Sequence, residues 1–242
     1  MIGRRALQQL LEEYRGCDQC PLLCESRIQP VFGTGSATAD IVIVGEAPGE
    51  AEDQEGAPFV GRSGRLLLQL IEKAWPDHDE RIQVARACQD DDEYYSHIRE
   101  TIESHVFFTN TVLCRPGDNR TPSTAEIKEC RTRLHRTIYA IDPVLIIAAG
   151  KVAASAILGK NVPILSKRGT IFDIEIASPV ADRKVRYPML AILHPSYLLR
   201  KGDKALVRKK TGDTYHTIGD LRYGLSVVQN YYSVVRNKTF PE

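Results

Sequence analysis

Three polar residues of different kinds, a carboxylate, an amide and an imidazole, each follow a short apolar run in this chain of 242 residues. Glu46 follows Ile41-Val42-Ile43-Val44 inside Gly45-Glu46-Ala47-Pro48-Gly49, Asn110 follows Val106-Phe107-Phe108-Thr109, and His194 follows the run from Pro188 to Leu193. Short β-branched runs bounded by Gly and Pro read as buried parallel strands, and ligands collect at the carboxyl ends of such strands. Each residue alone has a plain structural explanation: a solvated turn carboxylate, a turn asparagine, a strand-ending histidine before Pro195. Together at one sheet edge they form a site that can handle protons, stabilise charge and read a hydrogen-bonding ligand.

The six cysteines offer a second chemistry. The amino terminus, Met1 to Arg15, is charged and amphipathic without a signal-peptide core, so an intracellular, cytoplasmic protein with reduced thiols is expected. Cys17-Asp18-Gln19-Cys20 is a Cys-x2-Cys pair, and Cys114 and Cys130 enclose fifteen residues. Four thiolates suit a tetrahedral zinc or an iron-sulfur cluster, and the wide second spacing is unlike the short knuckle of a zinc ribbon. Cys24 and Cys88 are left over and read as small buried hydrophobes, although Cys24 is close enough to Cys20 to exchange with it as a ligand.

The elements that must position these groups alternate strand and helix. Ala6-Leu7, Leu10-Leu11 and Tyr14 recur at helical spacing before Gly16 and lead into the first cysteine pair. Strands are expected at Asp40 to Val44, Val106 to Phe108, Val144 to Ala148 and Pro188 to Leu193. Helices are expected after Ser63-Gly64, from about Ser123 to Ile138, and over Lys151 to Leu158. Alternating apolar and polar residues from Thr170 to Ile176 suggest an additional hairpin between Gly169 and Arg186. This order predicts a three-layer α/β/α sandwich on a central, mainly parallel four-stranded sheet, one domain over residues 1–242. With 43% apolar and 26% charged residues the composition is that of an ordinary globular protein, and no run is long enough to span a membrane.

Charge is uneven although the formal net value is +1: residues 1–150 carry 16 Lys+Arg against 24 Asp+Glu, and residues 151–242 carry 16 against 7. The carboxyl-terminal part is the candidate polyanion face. Residues 76–105 hold nine acidic and three basic residues, and read as an acidic, partly helical insertion available to a protein partner.

The segments Gly45-Glu46-Ala47-Pro48-Gly49, Glu52-Asp53 and Gly56-Ala57-Pro58-Phe59-Val60-Gly61-Arg62-Ser63-Gly64 resemble the first motif of family 4 uracil-DNA glycosylases. His194-Pro195-Ser196-Tyr197-Leu198-Leu199-Arg200 is similar to the family's second motif. Thr109-Asn110-Thr111-Val112-Leu113-Cys114-Arg115-Pro116 and Asn119-Arg120-Thr121-Pro122 resemble the segment with its asparagine and third cluster cysteine. The match runs in order from about Cys17 to Arg200, with residues 76–105 and 202–218 as departures that remove no motif residue.

The resemblance implies uracil excision from DNA by hydrolysis of the N-glycosidic bond, with Cys17, Cys20, Cys114 and Cys130 as ligands of a structural [4Fe-4S] cluster. It implies that Phe59 stacks on a flipped uracil at the Gly45 turn, and that Asn110 reads N3-H and O4, which cytosine presents in the opposite sense. His194 would donate to uracil O2, and Glu46 would either position water or oppose the cationic sugar. Ser196, Leu198, Leu199 and Arg200 would press on the DNA, with the basic residues Lys201, Lys204, Arg208, Lys209 and Lys210 following. The expected partner is uracil-containing DNA, single- or double-stranded, met by a monomer, with a replication or repair protein at the acidic insertion. Two other readings are a non-catalytic iron-sulfur DNA-binding accessory and a relative that traps uracil-DNA covalently through a histidine near the third cysteine. No histidine lies between Cys114 and Cys130, which counts against trapping. A cluster-based electron carrier is a third.

Overall fold

The apolar runs that precede Glu46, Asn110 and His194 are strands of one sheet. The computed structural model describes residues 2–77, 79–179, 181–201 and 212–236. Its strands are β1 (Thr34–Gly35), β2 (Ile41–Gly45), β3 (Val106–Asn110), β4 (Leu145–Ala149), β5 (Ile171–Ala177) and β6 (Lys184–Ile192), ordered β1-β3-β2-β4-β6-β5. β3, β2, β4 and β6 pair in parallel, the four strands expected. Among the described residues the sheet nevertheless has six strands, because β1 and β5 add antiparallel edges to β3 and β6. β1 is two residues long and has no apolar run to announce it. The expected hairpin is real, but its second arm continues into the fourth expected strand as the nine-residue β6. Pro188, which reads as a strand start, lies inside β6 opposite Asp173, just before pairing with β4 begins at Met189. A proline there removes no bond from the parallel ladder.

Side chains alternate across the sheet, and each face is covered. Ile41, Ile43, Phe108, Ile147 and Leu190 face a layer made by α4 (Arg62–Ala74), α5 (Glu80–Ala87), α6 (Asp91–Glu103), α10 (Pro195–Arg200) and α11 (Gly212–Tyr231). Val42, Val44, Phe107, Ile146 and Met189 face α1 (Ile2–Arg15), α7 (Thr124–Ile141) and α8 (Lys151–Leu158). The three-layer arrangement follows from continuous Val/Ile runs, which must be buried on both sides. α7 begins where Ser123 and Glu126 cap each other's backbone N–H groups, and ends on Asp142 in the left-handed region at φ 54°.

The acidic segment is ordered as α5 and α6, anchored by Ile82, Ala85, Ile98 and Ile102, all 0% exposed. Its acids have local work. Asp79 accepts from the Arg81 N–H and Asp90 from that of Glu93, so both are N-caps, and Asp91, Asp92 and Glu93 lie in the first turn where the helix dipole favours negative charge. The second departure, 202–218, lies outside the described residues up to 211, with Lys204, Arg208, Lys209 and Lys210; residues 212–218 begin α11. No described helix is long and apolar enough to cross a membrane.

Candidate active site

Register brings the three polar residues to one edge. Gly45 pairs with Asn110 across β2 and β3, and Ala149 pairs with Ile192 across β4 and β6. Glu46 is therefore one residue beyond a strand end, and His194 two residues beyond another. From β2 the chain goes to β3 on one side and later to β4 on the other, so this edge is a topological switch point. A cleft of about 570 Å³ opens there, lined by Glu46, Phe59, Asn110, Thr121, His194 and Arg200 with their flanking loops.

His194 is the N-cap of α10. Its Nδ1 accepts the Ser196 backbone N–H at 3.1 Å and lies 2.8 Å from Ser196 Oγ, which in turn accepts from Arg200 at 3.2 Å. A ring nitrogen that accepts a backbone N–H carries no proton, so this network assigns the imidazole proton to Nε2. Burial, with Arg200 adding to it, lowers the His194 pKa to about 4, and the ring is neutral at physiological pH. Gly150, at φ 95°, lies beneath it: a Cβ there would stand 2.8 Å from His194 Cβ.

Glu46 is half-buried. Burial raises its pKa, and a hydrogen bond from Thr121 and the charge of Arg200 oppose that rise. Thr121 is held by its neighbour: Arg120 makes a bidentate pair with Glu126 at 2.9 and 2.6 Å, which lowers the Glu126 pKa to about 2. The carboxylate thus has basic character while staying linked to a fixed loop.

Phe59 and Asn110 converge on Gly45. A Cβ on Gly45 would overlap Asn110 Oδ1 and stand 2.7 Å from Phe59 Cζ, so a glycine is required here by close approach. Phe59 is itself in the left-handed region at φ 55°, 6% exposed, its ring 5.6 Å from that of Phe108. Glu52 ties the loop at two points, accepting from Gly49 N at 3.1 Å and Gly61 N at 2.9 Å. Asp53, fully buried, accepts from the backbone of Ile28 and Gln29 and joins the loop to the segment that follows the first cysteines.

Of the residues expected at the DNA, Leu198 is the one that is fully buried. Leu198 is 0% exposed and packs in the core under α10, because its position on this one-and-a-half-turn helix faces the sheet. Tyr197 and Leu199 are only partly buried, Ser196 is spent on His194 and Arg200, and Arg200 is exposed at the cleft.

The cysteines gather beside this site. Cys17 and Cys20 precede α2 (Pro21–Ser26), Cys114 follows β3 and Cys130 lies on α7; all are free thiols. Burial, then the proximity of Cys130, Cys114 and Cys17, pushes the Cys20 thiol up to about 11. Burial pushes Cys114 up to about 11 against the opposing pull of Arg27, whose Nη1 donates to Cys114 Sγ at 2.8 Å and Nη2 to the Cys17 carbonyl at 2.6 Å. Arg133, fully buried, lies against Cys130 and donates to Thr109 Oγ1 and the carbonyls of Asn110 and Thr111. Four thiols with the guanidiniums of Arg27 and Arg133 beside them become, once a metal displaces their protons, a donor set that fits a negatively charged metal-sulfur group. Cys24 sits nearby with Sγ 3.7 Å from the Cys17 carbonyl. Cys88, Glu93 and His97 form a separate group within 4.8 Å, with Cys88 turned to the Val84 carbonyl and His97 Nδ1 to that of Glu93.

Sequence reading of single residues missed Arg99, Gly150, Glu126 and Arg133, none of which lines the cleft. Arg120 stands in the Asn119-Arg120-Thr121-Pro122 segment, but only the fold shows that it steadies the Thr121 loop.

The model of the uracil DNA glycosylase superfamily matches residues 32–215. A type-4 uracil-DNA glycosylase of Thermotoga maritima is 35% identical over 210 residues, 86% of this chain and 91% of the relative. One of Pyrobaculum aerophilum is 34% identical over 81% of this chain and 85% of its own length. One of Archaeoglobus fulgidus is 29% identical over 89% and 93%.

Proposed function

The chain belongs to the uracil-DNA glycosylase superfamily, with type-4 enzymes as its relatives, and we propose that it flips uracil out of DNA and hydrolyses its N-glycosidic bond, leaving an abasic site. The observation that carries this reading is the His194 network: Nδ1 accepts from Ser196, so a neutral ring offers Nε2–H at a cleft also lined by Glu46, Phe59 and Asn110. Bond cleavage leaves negative charge on the departing base and positive charge on the sugar. Nε2–H of His194 stabilises the base at O2 without needing a charged imidazole. The Asn110 amide pairs with N3–H and O4, and Phe59 stacks on the ring. Cytosine presents the inverse pattern to Asn110, and mispaired buried groups reject it.

Glu46 works on the other face of the broken bond. The basic character that burial gives it suits a carboxylate that orients and deprotonates water, more than one that only opposes a cation. Arg200, exposed at the mouth, meets phosphate, and the partly buried Leu199 and Tyr197 supply the apolar contact, with Leu198 packed in the core beneath them. Cys17, Cys20, Cys114 and Cys130 hold a [4Fe-4S] cluster that supplies a rigid cross-link between the amino-terminal helices and the β3–α7 segment. Arg27 and Arg133 compensate its negative charge.

Incubation with a single-uracil oligonucleotide followed by alkaline cleavage tests the reading on both strand forms. Cleavage at uracil but not at cytosine is expected; no cleavage on either form would overturn it.

A further inference from the structure

The acidic segment sends an arginine into the loop that carries Phe59. Arg99, on α6, donates from Nη1 to the Phe59 carbonyl at 3.1 Å and from Nη2 to the Pro58 carbonyl at 2.9 Å. The guanidinium is held from behind. Nη2 reaches Thr34 Oγ1 at 2.9 Å, Glu103 pairs with it at 2.8 Å one turn along the helix, and Thr34 Oγ1 donates to Glu103 at 2.6 Å. Arg99 Cζ lies 5.9 Å from the Phe108 ring, on which Phe59 also packs.

The two carbonyls flank the Cα of Phe59, and that residue has a positive φ. A side-chain-bearing residue in the left-handed region costs about 1–2 kcal/mol, and such a conformation persists only where its surroundings hold it. Gly64 gives it room, since a Cβ there would overlap the Phe59 carbonyl. Glu52 fixes Gly61 just beyond it. Arg99 fixes the two peptide planes themselves, with a planar fork that a lysine ammonium cannot reproduce. Orienting those planes sets the direction of the Phe59 ring toward the cleft.

We infer that Arg99 is a positioning residue for uracil excision, aiming Phe59 at the flipped base, and that the acidic segment is in this respect part of the active site. The inference rests on the glycosylase reading and on Phe59 as the stacking residue.

A double-mutant cycle under single-turnover conditions with uracil-DNA tests it, using the cluster-loaded full chain. Arg99→Met should slow uracil release by about 10-fold in the parent, in keeping with the cost of misplacing a substrate-positioning group. In the Phe59→Ala background the same change should cost about twofold or less, because the two act through one contact. Arg99→Lys, which keeps the charge and the Glu103 partner, should fold with parental melting temperature yet recover little of the rate. Equal losses in both backgrounds, full rescue by lysine, or a Phe59→Ala variant as fast as the parent would each overturn the inference while leaving uracil excision intact. A parent chain that releases no uracil would remove the glycosylase reading itself, and the inference with it.

Discussion

Asn110 stands opposite Gly45 in the parallel register of β3 and β2, and its amide oxygen occupies the space that a side chain on Gly45 would need. Two strand ends therefore come close enough for an amide to reach across one of them, with Phe59 Cζ 2.7 Å from the same empty position. The amide proposed to read the base and the ring proposed to stack on it are placed by one absence. Gly45→Ala should displace both and lower kcat/KM for uracil-DNA by about 100-fold, the scale of a small misplacement of substrate-positioning groups. Circular dichroism and visible absorbance should be unchanged. A variant of parental activity would separate Gly45 from the pocket.

The neutral imidazole of His194 makes a statement about pH. Its pKa falls from 6.5 to about 4 on folding, so the native state binds fewer protons than the unfolded chain between those values. The associated stability is complete above about pH 6.5 and is lost as pH falls through the folded pKa near 4. Thermal melts should show the difference between the parent and His194→Gln shrinking over that range. The pH–rate profile should have no His194 inflection near 6.5; one that vanishes in His194→Gln would mean that the ring works as a cation.

Glu46 has the opposite sign. Burial raises its pKa, so its folded-state form is easiest to accommodate below the ordinary carboxylate pKa of 4.5, and stability falls as pH rises through the raised value. Glu46→Gln should melt higher than the parent at neutral pH and no higher near pH 4. Its kcat should drop by about 100-fold or more, the contribution of a positioned general base. Loss of rate without the neutral-pH stabilisation would place the carboxylate in water rather than in the half-buried position seen here.

Strand ends were legible in the sequence because a buried parallel strand writes itself as an unbroken Val/Ile run, and the polar residue that follows is conspicuous. Glu46, Asn110 and His194 could be found this way, and so could the cysteine pairs. Helix faces were less legible. The resemblance puts Leu198 and Leu199 together against the DNA, yet the six-residue α10 turns Leu198 fully into the core and leaves Leu199 only partly buried. Arg99 gave no signal at all, since an arginine in an acidic run reads as a solvated charge until folding brings the Phe59 and Pro58 carbonyls to it. β1 left no trace because two residues have no periodicity.

Arg133 links the cysteines to β3 and the turn after it. Its guanidinium is fully buried, bonded to Thr109 Oγ1 and to the Asn110 and Thr111 carbonyls, and lies against Cys130. None of those oxygen partners carries a charge, so on the proposed function the cysteine sulfurs and the cluster they would hold supply the anion that makes the buried cation tolerable. Arg133→Met should therefore weaken both neighbours at once. Folding stability should fall by about 3–5 kcal/mol, the cost of breaking a buried charge network from one side, and the cluster's visible absorbance should bleach faster in air. Cys130→Ser should produce the same bleaching and the same loss, and adding Arg133→Met to it should cost less than the two separate changes predict. Strictly additive losses would mean that the arginine supports β3 independently of the cysteines.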